Sequence, residues 1–213
     1  MIEFQIKRKG ILFVLSAPSG GGKSTILRAL LKADSTLSYS ISATTRPPRR
    51  DETDGVEYYF KSMEQFEDLK AGNAFLETAQ VHGNHYGTLV EEVESKIRSG
   101  KDVVLDVDVE GSITLKKIRP DTVTIFILPP SIATLEKRLR NRGLDNEEQM
   151  RIRLQNAREE IRFAQRYDYV MVNQDLLNTI ESIRDVIVSE RCRTHRITVT
   201  DALGEVDFLA RED

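Results

Sequence analysis

Hydrophobic positions change their period abruptly near the start of the chain. Residues 11–31 read ILFVLSAPSGGGKSTILRALL. Ile11 to Leu15 form an unbroken apolar run, the pattern of a strand buried on both faces. After a stretch of small residues, Ile26, Leu27, Leu30 and Leu31 recur at helical spacing and share one face. The same alternation returns downstream. Apolar runs at 102–107, 122–128 and 169–172 predict three more buried strands. Helices are predicted around 112–118, after the Pro129-Pro130-Ser131 turn with Leu135 and Leu139, along Leu154, Ala157, Ile161 and Ala164, and along Ile180, Ile183 and Ile187. Strands alternating with helices predict an α/β fold with a parallel central sheet.

Residues 42–88 interrupt that rhythm. A short strand is expected at 39–42, followed by ATTRPPRRDETDGVEYYF, where Pro47 and Pro48 exclude a helix and Asp54-Gly55 marks a turn. A hairpin-like stretch is expected around 56–60. Ser62-Met63-Glu64-Gln65 has capping-box form and opens a short helix carrying Met63, Phe66 and Leu69, ended near Gly72. A strand at 74–81 and a turn at His82-Gly83-Asn84 follow. Thr88-Leu89-Val90-Glu91 has the form of a second capping box, opening a helix with Val90, Val93 and Ile97 that Gly100 closes. The stretch 42–88 therefore reads as an inserted subdomain. Beyond about residue 194 the pattern weakens, leaving open a tail or a packing arm.

The segment joining the first strand and helix carries the chemistry. Gly20, Gly21 and Gly22 let the backbone curl until its N–H groups face a phosphate, and the following helix adds its positive end. Lys23 is placed to reach β- and γ-phosphates, and the Ser24 hydroxyl to ligate Mg²⁺. The G-x-x-x-x-G-K-S pattern begins here with Ala17 instead of glycine. A plain glycine-rich loop with an exposed lysine is the rival reading. Strand, loop, Lys-Ser and helix all agree on a nucleoside triphosphate site.

Composition narrows the class. The 213 residues are 39% hydrophobic and 31% charged, as in a globular protein of one α/β domain with insertions. A net charge of −3 argues against bulk nucleic-acid binding. The single cysteine, Cys192, excludes an internal disulfide and suits a reducing compartment. No stretch approaches the roughly 20 apolar residues that span a bilayer, and the first residues lack a signal-peptide core, so a cytoplasmic location is expected. His82 and His85 flank a turn without nearby acids and predict no metal site. Arg191, Arg193, His195 and Arg196 sit where cations offset a helix dipole.

At SAPSGGGKST, TTRPPR, HYGT and DVDVEG, in that order, the chain closely resembles the guanylate kinase family over about residues 11–193. The resemblance implies a three-layer P-loop NTPase fold with a parallel central sheet. It places the core at about 1–41, 89–137 and 159–193, a GMP-binding subdomain at about 42–88, a small helical lid at about 138–158, and a tail from about 194. It implies transfer of the ATP γ-phosphate to GMP or dGMP with Mg²⁺, within purine nucleotide metabolism. No nucleic-acid or membrane partner is implied, and a homo-oligomer is left open.

Residue by residue, the resemblance assigns Ala17, Pro18, Ser19, Gly20, Gly21, Gly22, Lys23, Ser24 and Thr25 to ATP, with Asn173 near adenine. Arg46 and Arg49 match arginines that clamp the acceptor's 5′-phosphate, a task suited to the guanidinium fork. Tyr58 and Tyr86 match phosphate-binding tyrosines, and Ser42 lies in the matching loop. Glu77 and Thr88 match base-reading positions, and Asp108 resembles another guanine contact, unless it belongs to the metal shell. A carboxylate suits guanine, whose N1–H and N2 amine both donate, and would be left unpaired by adenine. Asp106 ends an apolar strand, where a carboxylate can hold Mg²⁺ directly or through water. Arg142 and Arg153 match lid arginines that neutralise the moving phosphate, with Arg138 in support. Rival readings are a solvated basic loop at Arg46 and Arg49, an outward strand residue at Glu77, a simple strand-end aspartate at Asp106, and a charge-laced helix for the lid arginines. Two other functions share the fold: a non-catalytic protein-binding scaffold, and a kinase of a phosphorylated pentose.

Overall fold

The computed structural model describes residues 5–81, 83–141, 146–201 and 204–206. Its elements in chain order are β1 (Gln5–Arg8), β2 (Leu12–Ser16), α1 (Lys23–Ala33), β3 (Leu37–Tyr39), β4 (Ser42–Thr44), β5 (Tyr59–Phe60), α2 (Met63–Ala71), β6 (Phe75–Val81), β7 (Asn84–Leu89) and α3 (Val90–Arg98). There follow β8 (Asp102–Asp106), α4 (Val109–Ile118), β9 (Val123–Leu128), α5 (Ile132–Arg140), α6 (Glu147–Arg162), β10 (Tyr169–Val172), α7 (Leu176–Arg191), β11 (Ile197–Asp201) and β12 (Gly204–Val206).

Five parallel strands in the order β10-β9-β2-β8-β3 form the centre. The apolar run that opens the chain explains its layers, because successive strand residues point to opposite faces. Ile11, Phe13 and Leu15 pack with Ile26 and Leu30 of α1 and Ile183 and Ile187 of α7. Leu12 and Val14 face the other way, against Val93 and Ile97 of α3 and Leu115 of α4. Each such side chain taken fully out of water contributes about 1.5–3 kcal/mol, which makes β2 the anchor of both cores. The result is a three-layer α/β fold with helices on both faces of a parallel sheet. Loops at the C-terminal ends of such strands frame the crevice where open parallel sheets bind ligands.

Residues 42–89 build a second sheet, β5-β4-β7-β6, in which β4–β7 and β6–β7 run antiparallel. Here the sequence reading needs correction in four places. The strand expected at 39–42 is two strands in different sheets, β3 and β4, because the chain leaves the central sheet between them. No hairpin forms around 56–60; β5 pairs in parallel with β4. β7 was not expected at all, its NHYGTL sequence being polar and interrupted by Gly87. That glycine is required by packing, since a Cβ there would lie 2.7 Å from the Phe75 ring, which stacks on Phe66. The second capping box does not form either. Leu89 precedes α3 without a side-chain cap, and the Thr88 hydroxyl is used elsewhere. The first box does form, with Ser62 and Gln65 bonding reciprocally at the start of α2.

At the far end of the chain β11 pairs with β1 and with β12 in a third, antiparallel sheet, so residues after 194 include a packing arm. The adjacent cations are structural. Arg191 pairs with Asp34 and Asp102, while Arg193 and Arg196 pair with the buried Glu190. Cys192 is free and exposed. Among the described residues no helix is long and apolar enough to cross a membrane.

Candidate functional site

The phosphate loop leaves the C-terminal end of β2 and enters α1 through Gly22, whose φ of 100° is in the left-handed region open to glycine. A Cβ there would lie 2.5 Å from Asn173 Nδ2. No side chain caps α1, and its first turn carries no acid. By contrast Ser62, Asp108, Ser131, Asn146 and Asp175 cap α2, α4, α5, α6 and α7. The N-terminus of α1 is thus left open to an external anion, while Ser24 and Thr25 stand exposed on its first turn.

The loop is held from beneath. Asn173, expected beside the nucleotide, is 4% exposed, and its Nδ2 donates to the Gly21 carbonyl at 2.9 Å. Arg138 spends its guanidinium on two backbone carbonyls, Gly21 O at 3.4 Å and Asn173 O at 3.2 Å. Leu135 and Leu139 of α5 press on Gly20, and Pro18 O accepts from the Gly21 N–H at 2.8 Å. These residues fix the curl of the loop. Glu160 of α6, which sequence reasoning missed, faces the Ser19 N–H and Lys23, and burial raises its pKa above the usual carboxylate range. Nothing in the surrounding EEIRF pattern distinguishes it from a solvated helix residue.

Lys23 Nζ donates to the Val107 carbonyl at 3.1 Å, beside the Ser16 hydroxyl, which donates to the same oxygen at 3.0 Å. It borders a cavity of about 300 Å³ between the central sheet and the β4–β7–β6 sheet. Asp106, at the end of β8, enters the cavity from the core side; its Oδ1 accepts the Tyr39 hydroxyl at 2.8 Å. Burial, then the adjacent Asp106 carboxylate, pushes the Tyr39 pKa well up, so that hydroxyl keeps its proton and remains a donor. Tyr39 is a second residue that sequence reasoning missed, having no signal beyond a place at a strand end.

The opposite wall follows from strand register. Ser42, Thr88 and Glu77 lie in one row across β4, β7 and β6, and Tyr86 stands two residues from Thr88 on the same face. All four line the cavity, with Tyr58 beside Tyr86 at 5.9 Å between ring centroids. Thr88 Oγ1 donates to Glu77 Oε1 at 2.7 Å. Burial, and to a lesser degree the neighbouring Asp108 charge, raises the Glu77 pKa. Asp108 also lines the cavity, yet one of its oxygens caps α4, accepting the Gly111 N–H at 2.7 Å. A Cβ on Gly111 would lie 3.2 Å from Asp108 Oδ1 and 3.5 Å from Glu77 Oε2, so glycine lets both carboxylates approach the helix end.

Arg46 lies over the Tyr58 ring, 5.4 Å from its centroid, also meets the Tyr86 hydroxyl, and pairs with Glu52 at 2.8 Å. Arg49 is exposed nearby. On the lid side Arg153 belongs to α6, and Arg142 lies outside the described residues. Among the described residues no cluster of three or more His, Cys, Asp or Glu could cage a metal. A hydroxyl at Ser24 with a carboxylate at Asp106 nevertheless suits Mg²⁺, a hard cation that takes one or two protein oxygens and is otherwise satisfied by phosphates and water.

A glycine-lined phosphate loop at the end of the central strand of a three-layer parallel sheet defines a nucleotide-binding protein of the P-loop class. Residues 9–190 match the family model described as guanylate kinase. The chain is 50% identical over 186 residues to a guanylate kinase of Rickettsia felis, covering 87% of this chain and 97% of that protein. It is 48% identical over 192 residues to a guanylate kinase of Syntrophotalea carbinolica, covering 90% and 91%. The crystal structure of guanylate kinase from Anaplasma phagocytophilum superposes with a TM-score of 0.73 at 32% identity, over 91% of this chain and 92% of that one. The chain belongs to the guanylate kinase family, whose members are ATP:GMP phosphotransferases.

Proposed function

We propose that this chain transfers the γ-phosphate of ATP to GMP or dGMP across the cavity between Lys23 and the Glu77–Thr88 pair. The observation that supports it best is that one cavity of about 300 Å³ is lined by the phosphate-loop lysine on one side and by a half-buried carboxylate with two tyrosines on the other. In this reading residues 42–88 form the GMP-binding subdomain, 138–158 the lid, and the rest of the chain to 193 the core.

ATP lies along Ala17 to Thr25, its phosphates against the N–H groups that open α1. Lys23 exchanges Val107 O for phosphate oxygens, while Asn173 and Arg138 keep the loop in its curled form. Arg46, Arg49, Tyr58 and Tyr86 take the 5′-phosphate of GMP, with Ser42 at the edge. Glu77, oriented by Thr88, accepts from guanine N1–H and N2–H, and Asp108 stands beside them. An oxygen of the acceptor phosphate attacks the γ-phosphorus, the β–γ bridging bond breaks, and its electron pair stays with ADP. Lys23, Arg142 and Arg153 offset the charge spread over the transferring group. Ser24 and Asp106 would hold Mg²⁺, which supplies charge neutralisation on the phosphates. Closure of the lid excludes water, so that GMP and not solvent receives the phosphoryl group.

The test is ADP release measured with GMP, dGMP, AMP and ribose phosphates as acceptors. GMP and dGMP are expected to support turnover and the others to fail. No ADP with any acceptor would point to a scaffold role, and preference for AMP or a pentose phosphate over GMP would overturn the base-reading assignment.

A further inference from the structure

The loop that carries Arg46 and Arg49 is poorly equipped to hold its own shape. Pro47 and Pro48 have no N–H to donate, and residues 45–58 contain no strand or helix. Asp54 and Glu57 bond the backbone of its second half, and Glu52 closes the half that carries the two arginines. Glu52 Oε1 accepts Arg46 Nη2 at 2.8 Å, and Glu52 Oε2 accepts the Arg49 backbone N–H at 2.8 Å. The Glu52 N–H in turn donates to the Arg49 carbonyl at 3.1 Å, so residues 49–52 are tied in both directions. The Arg46 fork is then completed by Nη1, which donates to Pro47 O at 2.9 Å, and by the Tyr58 and Phe60 rings beneath it at 5.4 and 5.8 Å.

A carboxylate at this place is costly for a site that must attract a dianionic phosphate, since it removes one unit of positive charge from the cup. The arginines beside it hold Glu52 below the usual carboxylate range, so it is ionised at neutral pH. Its compensation is geometric. An arginine side chain free to rotate loses conformational entropy when it grips a phosphate, and one already fixed does not.

We propose that Glu52 is a positioning residue for acceptor phosphate: its two oxygens set the spacing of Arg46 and Arg49 before the nucleoside monophosphate arrives. The inference rests on the GMP-kinase reading above and deepens it. Glu52 acts through the arginines and has no part in base recognition or in ATP binding.

The experiment compares wild type, Glu52→Gln and Glu52→Ala by steady-state kinetics with GMP and ATP, together with competitive inhibition by guanosine, which has the base but no phosphate. Glutamine can accept at one of the two positions only, and alanine at neither. The KM for GMP is expected to rise about 3-fold in Glu52→Gln and 10-fold or more in Glu52→Ala. The KM for ATP, kcat at saturating GMP and the Ki for guanosine should each stay within 2-fold. If GMP binds more tightly in either variant, Glu52 acts only as a repelling charge and the proposal fails. A guanosine Ki that rises in step with the GMP KM would show general damage to the subdomain and also overturn it. Should Glu52→Ala not fold, the Glu52→Gln values decide. Wild type that ignores GMP would instead refute the kinase reading itself, before any variant is compared.

Discussion

Replacing Glu77 with glutamine keeps the shape of the site and changes only what the side chain offers. In the wild type Glu77 presents two acceptor oxygens, one already fixed by the Thr88 hydroxyl at 2.7 Å. Guanine brings two donors to this carboxylate. Glutamine retains one acceptor, but its NH₂ then meets one of those donors. The change removes one charge-assisted hydrogen bond, worth about 1.5–3 kcal/mol, and leaves a desolvated donor unpaired at a further cost of about 1–3 kcal/mol. Taking roughly 3–4 kcal/mol in total, kcat/KM for GMP should fall about 10²- to 10³-fold, at 1.36 kcal/mol per decade. Stability should move the other way. Glu77 has a raised pKa, so the folded chain holds its proton more readily than the unfolded chain does. Its ionised form therefore costs stability at neutral pH, and that cost is relieved as pH falls through the raised value. Glutamine removes the charge, so the variant should melt at or above the wild-type temperature at pH 7. The same titration predicts that wild-type kcat/KM for GMP declines on acidification at a pH above the ordinary glutamate range, through protonation of the acceptor. Coupled ADP release and thermal melting over a pH series check both statements. A kcat/KM for GMP within 2-fold of wild type refutes the reasoning, as does a variant that melts lower and loses ATP and GMP use equally.

Three further substitutions have distinct expected outcomes. Lys23→Ala should lower kcat about 10²-fold or more, as loss of a charge-stabilising donor does, while changing melting little because the one hydrogen bond lost is that to Val107 O and Glu160 can take up a proton when the nearby charge goes. Asn173→Ala removes the brace beneath Gly21, so the KM for ATP should rise about 10-fold with the KM for GMP unmoved, as measured by varying each substrate in turn. Asp102 is 0% exposed and accepts from Arg8, Arg191 and the Ile11 N–H, so Asp102→Ala should cost about 3 kcal/mol in urea unfolding. It begins β8, about 13 Å along the strand from Asp106, so both KM values should stay as they are.

The parts of the site that were legible are those made by neighbours in sequence. The strand–loop–helix around Lys23 appears as expected because its apolar run, its glycines and its helical face are contiguous and agree with one another. The Ser62 capping box was equally local. Thr88 shows the limit: its spacing to Glu91 fits a cap, but the register of β6 and β7 sets it opposite Glu77, and a half-buried carboxylate is the stronger claimant for its hydroxyl. β7 has no legible pattern because its glycine is selected by the Phe75 ring, a partner distant in sequence and in contact only once β6 and β7 pair. Likeness of motif puts Asn173 near adenine, and only packing reveals that its amide also holds the Gly21 carbonyl.

By itself the sequence determined the α/β class, the buried central strand and the anion-receiving loop, because backbone conformation and burial period are written within a few consecutive residues. Tertiary structure alone decided which carboxylates and tyrosines face Lys23, which side chains brace the loop, and that Glu52 ties the two arginines together. The first two relations depend on strand register and sheet packing, where a shift of one residue turns every side chain to the other face, and the third on the course of a loop that has no periodicity to read.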